Sequence, residues 1–200
     1  MRLKKLPGLC AKAGMPAVAV TDTNNMFSAL EFAVGAQSAG IQPIMGCQVD
    51  LAYAVAAPGE KPRPPAPVVL LAQNEAGYEN LMKLNSCLYL RGDGQLPHVT
   101  LEEVERFSGS VICLTGGPDG PVGRLLQAGQ TPAADALVKR LHAAFGDRFY
   151  MELQRHPGDA GLPDAERATE RGLVEMAYAM DLPLVATNDV FFKDADMYEA

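Results

Sequence analysis

Short apolar runs and longer helical patterns alternate along the chain. An apolar strand pattern covers residues 17–22, a helical pattern covers 28–39 and stops before Gly40, and a second strand pattern covers 42–49. A strand, a helix and a strand within about 30 residues make a βαβ unit. This stretch therefore predicts two parallel strands, and its alternation of alanine and valine predicts that the first is buried on both faces.

The same alternation continues to the end of the chain. Further strands are predicted at 68–72, 111–114, 149–154 and 184–189. Further helices are predicted at 3–13, 74–90, 121–128, 132–145 and 164–180, with a short one after the capping-box residue Thr100. Residues 56–67 are rich in proline and predict a surface loop with a hairpin connection. Strand followed by helix is the layout of a parallel (β/α) barrel or a doubly wound sheet.

Polar residues gather where the predicted strands end. They are Asp22, Gln48, Thr115, Arg155, His156, Asn188 and Asp189. The carboxyl ends of parallel strands are where α/β proteins place ligands and catalytic groups. When its own segment is considered alone, Asp22 could equally be a functional carboxylate or the cap of the next helix. Asn25 could also be that cap.

Composition and charge narrow the classes of function. The chain has 200 residues, 48% of them hydrophobic and 20% charged, and a net charge of −7. It contains no run of five basic residues, which argues against strong non-specific nucleic-acid binding by this piece alone. Its four cysteines form no Cys-x-x-Cys pair and predict reduced core thiols of a cytosolic protein. No stretch of eighteen apolar residues is present, and we predict a cytoplasmic protein without a membrane span.

Two smaller features have simple interpretations. The glycine-rich turn at 116–120 opens a helix and could hold a phosphate, although a plain turn is favoured. The aromatic residues Tyr78, Tyr89, Phe107 and Phe145 are predicted to lie in the core. Neither of the two common glycine-rich nucleotide motifs occurs.

Six segments, in order, carry a resemblance to a known family. They lie at 15–27, 40–48, 71–81, 115–117, 152–156 and 184–190, and include Thr-Asp-Thr-Asn-Asn, Pro-Ile-Met-Gly-Cys-Gln and Ala-Thr-Asn-Asp-Val. Together they resemble the PHP (polymerase and histidinol phosphatase) domain of bacterial DNA polymerase III alpha subunits. The resemblance implies an α/β fold, a distorted (β/α)7 TIM-like barrel. It further implies that residues 1–200 are a partial PHP domain whose first strand is missing and whose polymerase domains lie outside this chain.

The family's metal site is degenerate in this sequence. Active members use histidines, carboxylates and a cysteine to hold two or three metal ions, which activate water for phosphoester cleavage. At five ligand positions this chain has Thr23, Gln48, Pro67, Gly117 and Phe191. The resemblance leaves Asp22, His156 and Asp189 as vestigial metal ligands. Three donors are too few for a two-metal centre, so we expect no bound cofactor; zinc, manganese or magnesium would be expected only in an active PHP site.

The functional expectation follows from that degeneracy. The chain is interpreted as an N-terminal fragment of a replicative DNA polymerase whose parent uses magnesium and contacts DNA. The fragment itself is expected to be non-catalytic and to dock the proofreading exonuclease subunit and the rest of the holoenzyme. Two alternatives remain: a metal-dependent phosphoesterase or 3′–5′ exonuclease of the PHP family, and an unrelated α/β barrel enzyme. Without metal, Asp22 and Asp189 would hydrogen-bond neighbouring turns, and Arg155 could pair with a retained carboxylate.

Overall fold

The computed structural model describes residues 3–53, 63–91, 96–156, 163–188 and 190. Its strands are β1 (Ala17–Val20), β2 (Gln42–Ala52), β3 (Ala66–Ala72), β4 (Val99–Thr100), β5 (Val111–Leu114), β6 (Phe149–Gln154) and β7 (Leu184–Thr187). Its α-helices are α1 (Leu6–Lys12), α2 (Ala29–Ser38), α3 (Glu75–Leu90), α4 (Leu101–Arg106), α5 (Pro121–Gln127), α6 (Thr131–Phe145) and α7 (Asp164–Ala179). Short 3-10 turns cover Leu3–Lys5, Gly117–Asp119 and Gly146–Arg148.

The helix starts follow local capping chemistry. The side chain of Asn74 accepts a 3.1 Å hydrogen bond from the backbone N–H of Gly77 and so caps α3. Thr100 and Glu103 form the predicted capping box of α4: the Thr100 hydroxyl accepts from the Glu103 N–H, and the Glu103 carboxylate accepts from the Thr100 N–H. These exchanges satisfy donors that the first turn leaves without intrahelical partners.

The strands form one curled sheet in the order β1-β2-β3-β5-β6-β7, with β4 beside the end of β2. The pairs β1–β2, β5–β6 and β6–β7 are parallel, which confirms the predicted βαβ unit. The strand β3 is antiparallel to both of its neighbours, which agrees with the predicted hairpin between β2 and β3; the sheet therefore departs at β3 from the parallel layout that alternating strands and helices suggest. The proline-rich segment before β3 lacks a helical pattern, and an antiparallel hairpin needs no helical crossover.

The start of β3 also corrects the predicted loop. Ala66 and Pro67 belong to the strand, and Pro67 lies opposite Asp50 of β2. Residues 56–62 of the predicted loop lie outside the described residues.

One face of the sheet is packed under the helices and forms the main core. Its strand positions are Cys47, Val49, Leu51, Val68, Leu70, Val111, Cys113, Phe149 and Met151. Positions on the opposite face, such as Gln48, Val69, Leu71, Tyr150 and Gln154, keep partial exposure to solvent. Because successive side chains of a strand point to opposite faces, this alternation separates an apolar face from a mixed one.

A second, smaller core holds β1 against α1 and α2. Cys10, Phe32, Ala36 and Ile41 form it, with Val18 and Val20 of β1 packed against them. Ala19 is exposed, so the prediction that β1 is buried on both faces is wrong. The strand lies at one end of the described sheet, where the helices cover only the face that carries its valines.

Two predictions about composition can be checked directly. All four cysteines are free thiols, as expected, and Cys10, Cys47 and Cys113 are buried; Cys87 is partly exposed, so its predicted place in the core is wrong. Within the described part of the chain, no helix is both long enough and apolar enough to cross a membrane.

Candidate functional site

The predicted strand ends do meet at one edge of the sheet. The register places Gln48 of β2 opposite Val69 of β3, and Val69 opposite Leu114 of β5. On the other side, Gln154 of β6 lies beside Thr187 of β7. The strand β2 continues to Ala52, so the predicted end of this strand at residue 49 is wrong and Gln48 lies within it. The edge therefore combines the carboxyl ends of β1, β5, β6 and β7 with central positions of β2 and β3.

Asp22 supports the turn that follows β1. Its Oδ2 accepts a 2.5 Å hydrogen bond from the hydroxyl of Ser28, the residue just before α2. Asn25 holds its own turn, since its Oδ1 accepts from the backbone N–H of Phe27 at 3.1 Å. Neither side chain is the direct cap of α2. Asp22 thus accepts a hydrogen bond from the neighbouring turn, as predicted for this carboxylate.

Two of the substituted ligand positions bond to each other. The side-chain amide of Gln48 donates to the hydroxyl of Thr23 at 3.3 Å, and the two residues form an isolated parallel bridge. A carboxamide and a hydroxyl are weaker ligands for hard cations than the glutamate and histidine of the family pattern. This contact extends the β1–β2 pairing without presenting a charged donor.

Asn24 fastens the same loop to β2 and α3. It has a left-handed backbone with φ of 56°. Its amide donates to Asp50 Oδ2 at 2.7 Å, and its Oδ1 accepts from the Asp50 N–H at 3.0 Å. The hydroxyl of Tyr89 donates to the Asn24 carbonyl at 2.7 Å. Tyr89 is 56% exposed, so its predicted place in the core is wrong; its polar tip is needed at the surface.

The thiol of Cys47 lies under this loop. It contacts the carbonyl oxygens of Asp22 at 3.4 Å and Asn25 at 3.3 Å. Burial raises the pKa of the Cys47 thiol to about 11, although the contact with Asn25 opposes that rise. A thiol that is buried and stays protonated is a poor nucleophile.

His156 is held by a carboxylate that sequence reasoning missed. Glu166 of α7 is 5% exposed, and its Oε1 lies 2.6 Å from His156 Nδ1. Its Oε2 accepts from the His156 backbone N–H at 2.9 Å. The signal for Glu166 was weak, because a glutamate in the first turn of a helix usually needs no partner beyond the helix dipole.

Arg155 turns away from the site. Its Nε donates to Glu170 Oε2 at 2.9 Å on the surface of α7, so the predicted pairing with a retained site carboxylate is wrong. The bond from Arg155 lowers the pKa of Glu170. The exposed position of the arginine side chain limits what this pair adds to stability.

Glu152 is a second carboxylate that sequence reasoning did not place in the site. It is 2% exposed, and its Oε2 accepts a 2.8 Å hydrogen bond from the backbone N–H of Gly116. Its Oε1 accepts from the Thr187 hydroxyl at 2.5 Å. The N–H of Gly116 is therefore already bonded to an internal carboxylate, which leaves the glycine-rich turn less suited to a phosphate than its sequence suggested.

The described donors do not fit a two-metal centre. Among the residues that the structure describes, no three His, Cys, Asp or Glu side chains lie together as a metal site would need. Asp22 and His156 lie beyond β1 and β6, four strand spacings apart in the sheet order. Asp189 lies outside the described residues, so the predicted set of three vestigial ligands stays a prediction.

Comparison with known proteins decides the family. The model of the PHP domain matches residues 1–156. This chain belongs to the PHP domain family. The resemblance in its sequence is confirmed, and the alternative of an unrelated α/β barrel is set aside.

Curated relatives of this PHP domain are bacterial DNA polymerase III alpha subunits. It is 46% identical to that of Caulobacter vibrioides over 96% of this chain, and 36% identical to that of Pseudomonas fluorescens over 98%. The alpha subunit of Rickettsia bellii is 33% identical over 98% of the chain. The chain spans 16% of the length of each of these relatives.

A solved structure supports the fold. A Bifidobacterium adolescentis protein, named for metal-dependent phosphoesterase activity, superimposes with a TM-score of 0.51 over 98% of this chain and 88% of its own. The sequence identity is 12%, so this likeness concerns the fold alone. With the curled sheet, it confirms the predicted distorted TIM-like barrel class.

Proposed function

We propose that this PHP domain is part of a bacterial DNA polymerase III alpha subunit and has a structural, non-catalytic role there. The observation that carries the proposal is the internal bonding of the positions where metal ligands are expected. Asp22 is bonded to Ser28, and Gln48 is bonded to Thr23. Each contact stabilises a loop or a strand pair, which is what a structural module needs.

The whole subunit would act in the cytoplasm on DNA, in a replicative polymerase complex. The relatives are longer than this chain, which spans 16% of their length. The proposal assigns magnesium-dependent DNA synthesis to the rest of that length. The net charge of −7 agrees with DNA contact through those other parts. The domain itself would dock the proofreading exonuclease subunit.

A nuclease assay with metal titration tests the non-catalytic role. The chain is incubated with single-stranded DNA and zinc, manganese or magnesium, beside the variant Asp22→Ala. We expect no cleavage above background in either protein and no metal retained after dialysis. Cleavage by the wild-type chain that Asp22→Ala abolishes would overturn the proposal.

The second candidate function is a metal-dependent phosphoesterase. It is favoured by the pair of His156 and Glu166, since a carboxylate bonded to one imidazole nitrogen is the usual support of a metal-binding histidine. The donor set described above argues against it.

Docking of the exonuclease subunit needs its own experiment. Isothermal titration of that subunit into this chain should give saturable binding. Because this chain is acidic, we do not expect nucleic acid to bridge the two proteins and so cause the binding signal. Nuclease treatment of both samples controls for such a bridge. Absence of binding here, with retained binding to the full alpha subunit, would move the docking site to another part of that subunit.

A further inference from the structure

A compact polar cluster closes the sheet edge between β5, β6 and β7. It consists of Gly116, Gly117, Glu152, Gln154 and Thr187, and we name it the strand-end cluster. Besides the two short bonds of the Glu152 carboxylate, the side-chain amide of Gln154 donates to the Thr187 hydroxyl at 3.4 Å and to Glu152 Oε1 at 3.5 Å. The carboxylate is thus surrounded by neutral donors from three parts of the chain.

Gly117 has no room for a side chain in this cluster. A Cβ built on it would lie 2.8 Å from both Cδ and Oε1 of Gln154 and 3.2 Å from its Cγ. Its φ of 58° is in the left-handed region, which adds strain for any other residue. A side chain at 117 therefore requires Gln154 to move.

Gln154 is not free to move without loss. Its side-chain amide has two partners in the strand-end cluster, at 3.5 Å and 3.4 Å, and a rotation of the side chain would break both contacts while leaving the backbone pairing with β7 unchanged. Glu152 is 2% exposed, so a shift of Gln154 would also weaken the surroundings of a buried charge.

We propose that Gln154 occupies the space into which residue 117 would project a metal ligand, so that this edge is closed sterically as well as chemically. A ligand at position 117 would first require the end of the Gln154 side chain to swing away from its present partners. The functional interpretation of this contact depends on the proposed non-catalytic role, which it extends. The coupling between the two residues is a structural claim that can be measured on its own.

A double-mutant cycle in thermal unfolding tests the coupling. The variants of the 200-residue chain are Gly117→Ala, Gln154→Ala and the pair together. We expect Gly117→Ala to lower Tm by about 5 °C, and by about 2 °C less when Gln154→Ala is present. Only the backbone strain at 117 should remain in the second case.

The matched control is Gly129→Ala. Gly129 has a φ of 67°, and a Cβ there would meet nothing within 4 Å. It measures left-handed strain without a clash, so its Tm loss should be the same with and without Gln154→Ala. If Gly117→Ala alone fails to fold, a cooperative transition in the double variant supports the proposal, and failure of both contradicts it.

Failure of the inference and failure of the proposed function give different results. Equal Tm losses for Gly117→Ala in the two backgrounds would overturn the coupling and leave the non-catalytic role standing. Stoichiometric retention of zinc by the wild-type chain after dialysis would overturn the non-catalytic role and leave the coupling intact.

Discussion

The hydroxyl of Tyr89 donates a 2.7 Å hydrogen bond to the backbone carbonyl of Asn24, 65 residues away in sequence. This bond ties the last turn of α3 to the loop after β1. The same loop carries Asp22, so the position of that carboxylate depends on a helix that belongs to the main core. Removing single contacts of this loop therefore measures what holds the site edge in place.

Tyr89→Phe should destabilise the chain by about 1 kcal/mol, because one hydrogen bond is lost while the ring is kept. For a chain of this length, that corresponds to a fall in Tm of roughly 2–4 °C. Differential scanning calorimetry measures it. The control is Tyr178→Phe on α7. Tyr178 is 78% exposed, so its variant should leave Tm unchanged. A similar fall in both variants would contradict the role of the Tyr89 hydroxyl.

Asn24→Ala should cost about 3 kcal/mol, since it removes two hydrogen bonds with Asp50 and leaves a non-glycine residue at a φ of 56°. Asn24→Gly loses the same bonds but tolerates the left-handed backbone. We expect it to be about 1 kcal/mol more stable than Asn24→Ala. Urea denaturation of both variants measures the difference. Equal stabilities would show that the loop relaxes out of the left-handed conformation.

Local signals were sufficient to predict most helix ends. Gly14, Gly40 and Gly146 were predicted to end helices, and each has a positive φ of 69°, 72° and 59° respectively. Thr100 and its capping box were identified before α4 for the same reason. These features depend on neighbours a few residues away, which a sequence displays directly.

The direction of β3 was predictable in part, because the proline-rich segment before it predicts a hairpin with β2, whereas the place of Tyr89 was not. The apolar run of β3 alone fits a parallel or an antiparallel neighbour, so its antiparallel pairing with β5 had no signal in the sequence. Tyr89 occupies a helix position that suits the core, and its exposure follows from a carbonyl that only the folded loop presents.

The buried carboxylates show the same limit at the site. Glu152 follows Met151 in a strand pattern and would ordinarily face solvent, but the turn at Gly116 covers it. Glu166 lies in the first turn of α7, and no residue next to it in the sequence indicates a hydrogen-bond partner. Its partner is His156, ten residues earlier. Buried polar groups need partners, yet the sequence does not show which distant segment provides them.

Asp22→Asn should change stability by less than about 0.5 kcal/mol, whereas Asp22→Ala should cost about 1 kcal/mol. Asparagine keeps an oxygen that accepts from the Ser28 hydroxyl, and alanine does not. Ser28→Ala should cost as much as Asp22→Ala, and the double variant no more than either alone. Urea denaturation with and without zinc measures all four proteins. Zinc-dependent stability that is lost equally in Asp22→Asn and Asp22→Ala would indicate a metal ligand instead.

The buried thiol of Cys47 should make the chain less stable in alkali. Its pKa is raised from 9.0 to about 11 by burial, so the folded state holds its proton more tightly than the unfolded state. The stability gained from the neutral thiol is fully present below pH 9 and is lost as the pH rises toward 11. Two pKa units correspond to about 2–3 kcal/mol. Cys113 acts in the same direction, since burial and the charge of Glu152 raise its pKa.

Cys47→Ala isolates this contribution. Lysine and tyrosine side chains titrate in the same range, but they do so equally in the variant and in the wild-type chain. The free energy of unfolding, measured in urea from pH 8 to 11, should fall more steeply for the wild type, so that the gap between the two proteins narrows as the pH rises. Parallel curves would mean that the thiol is exposed to solvent in the folded state, and the loop at Asp22 and Asn25 would then not cover it.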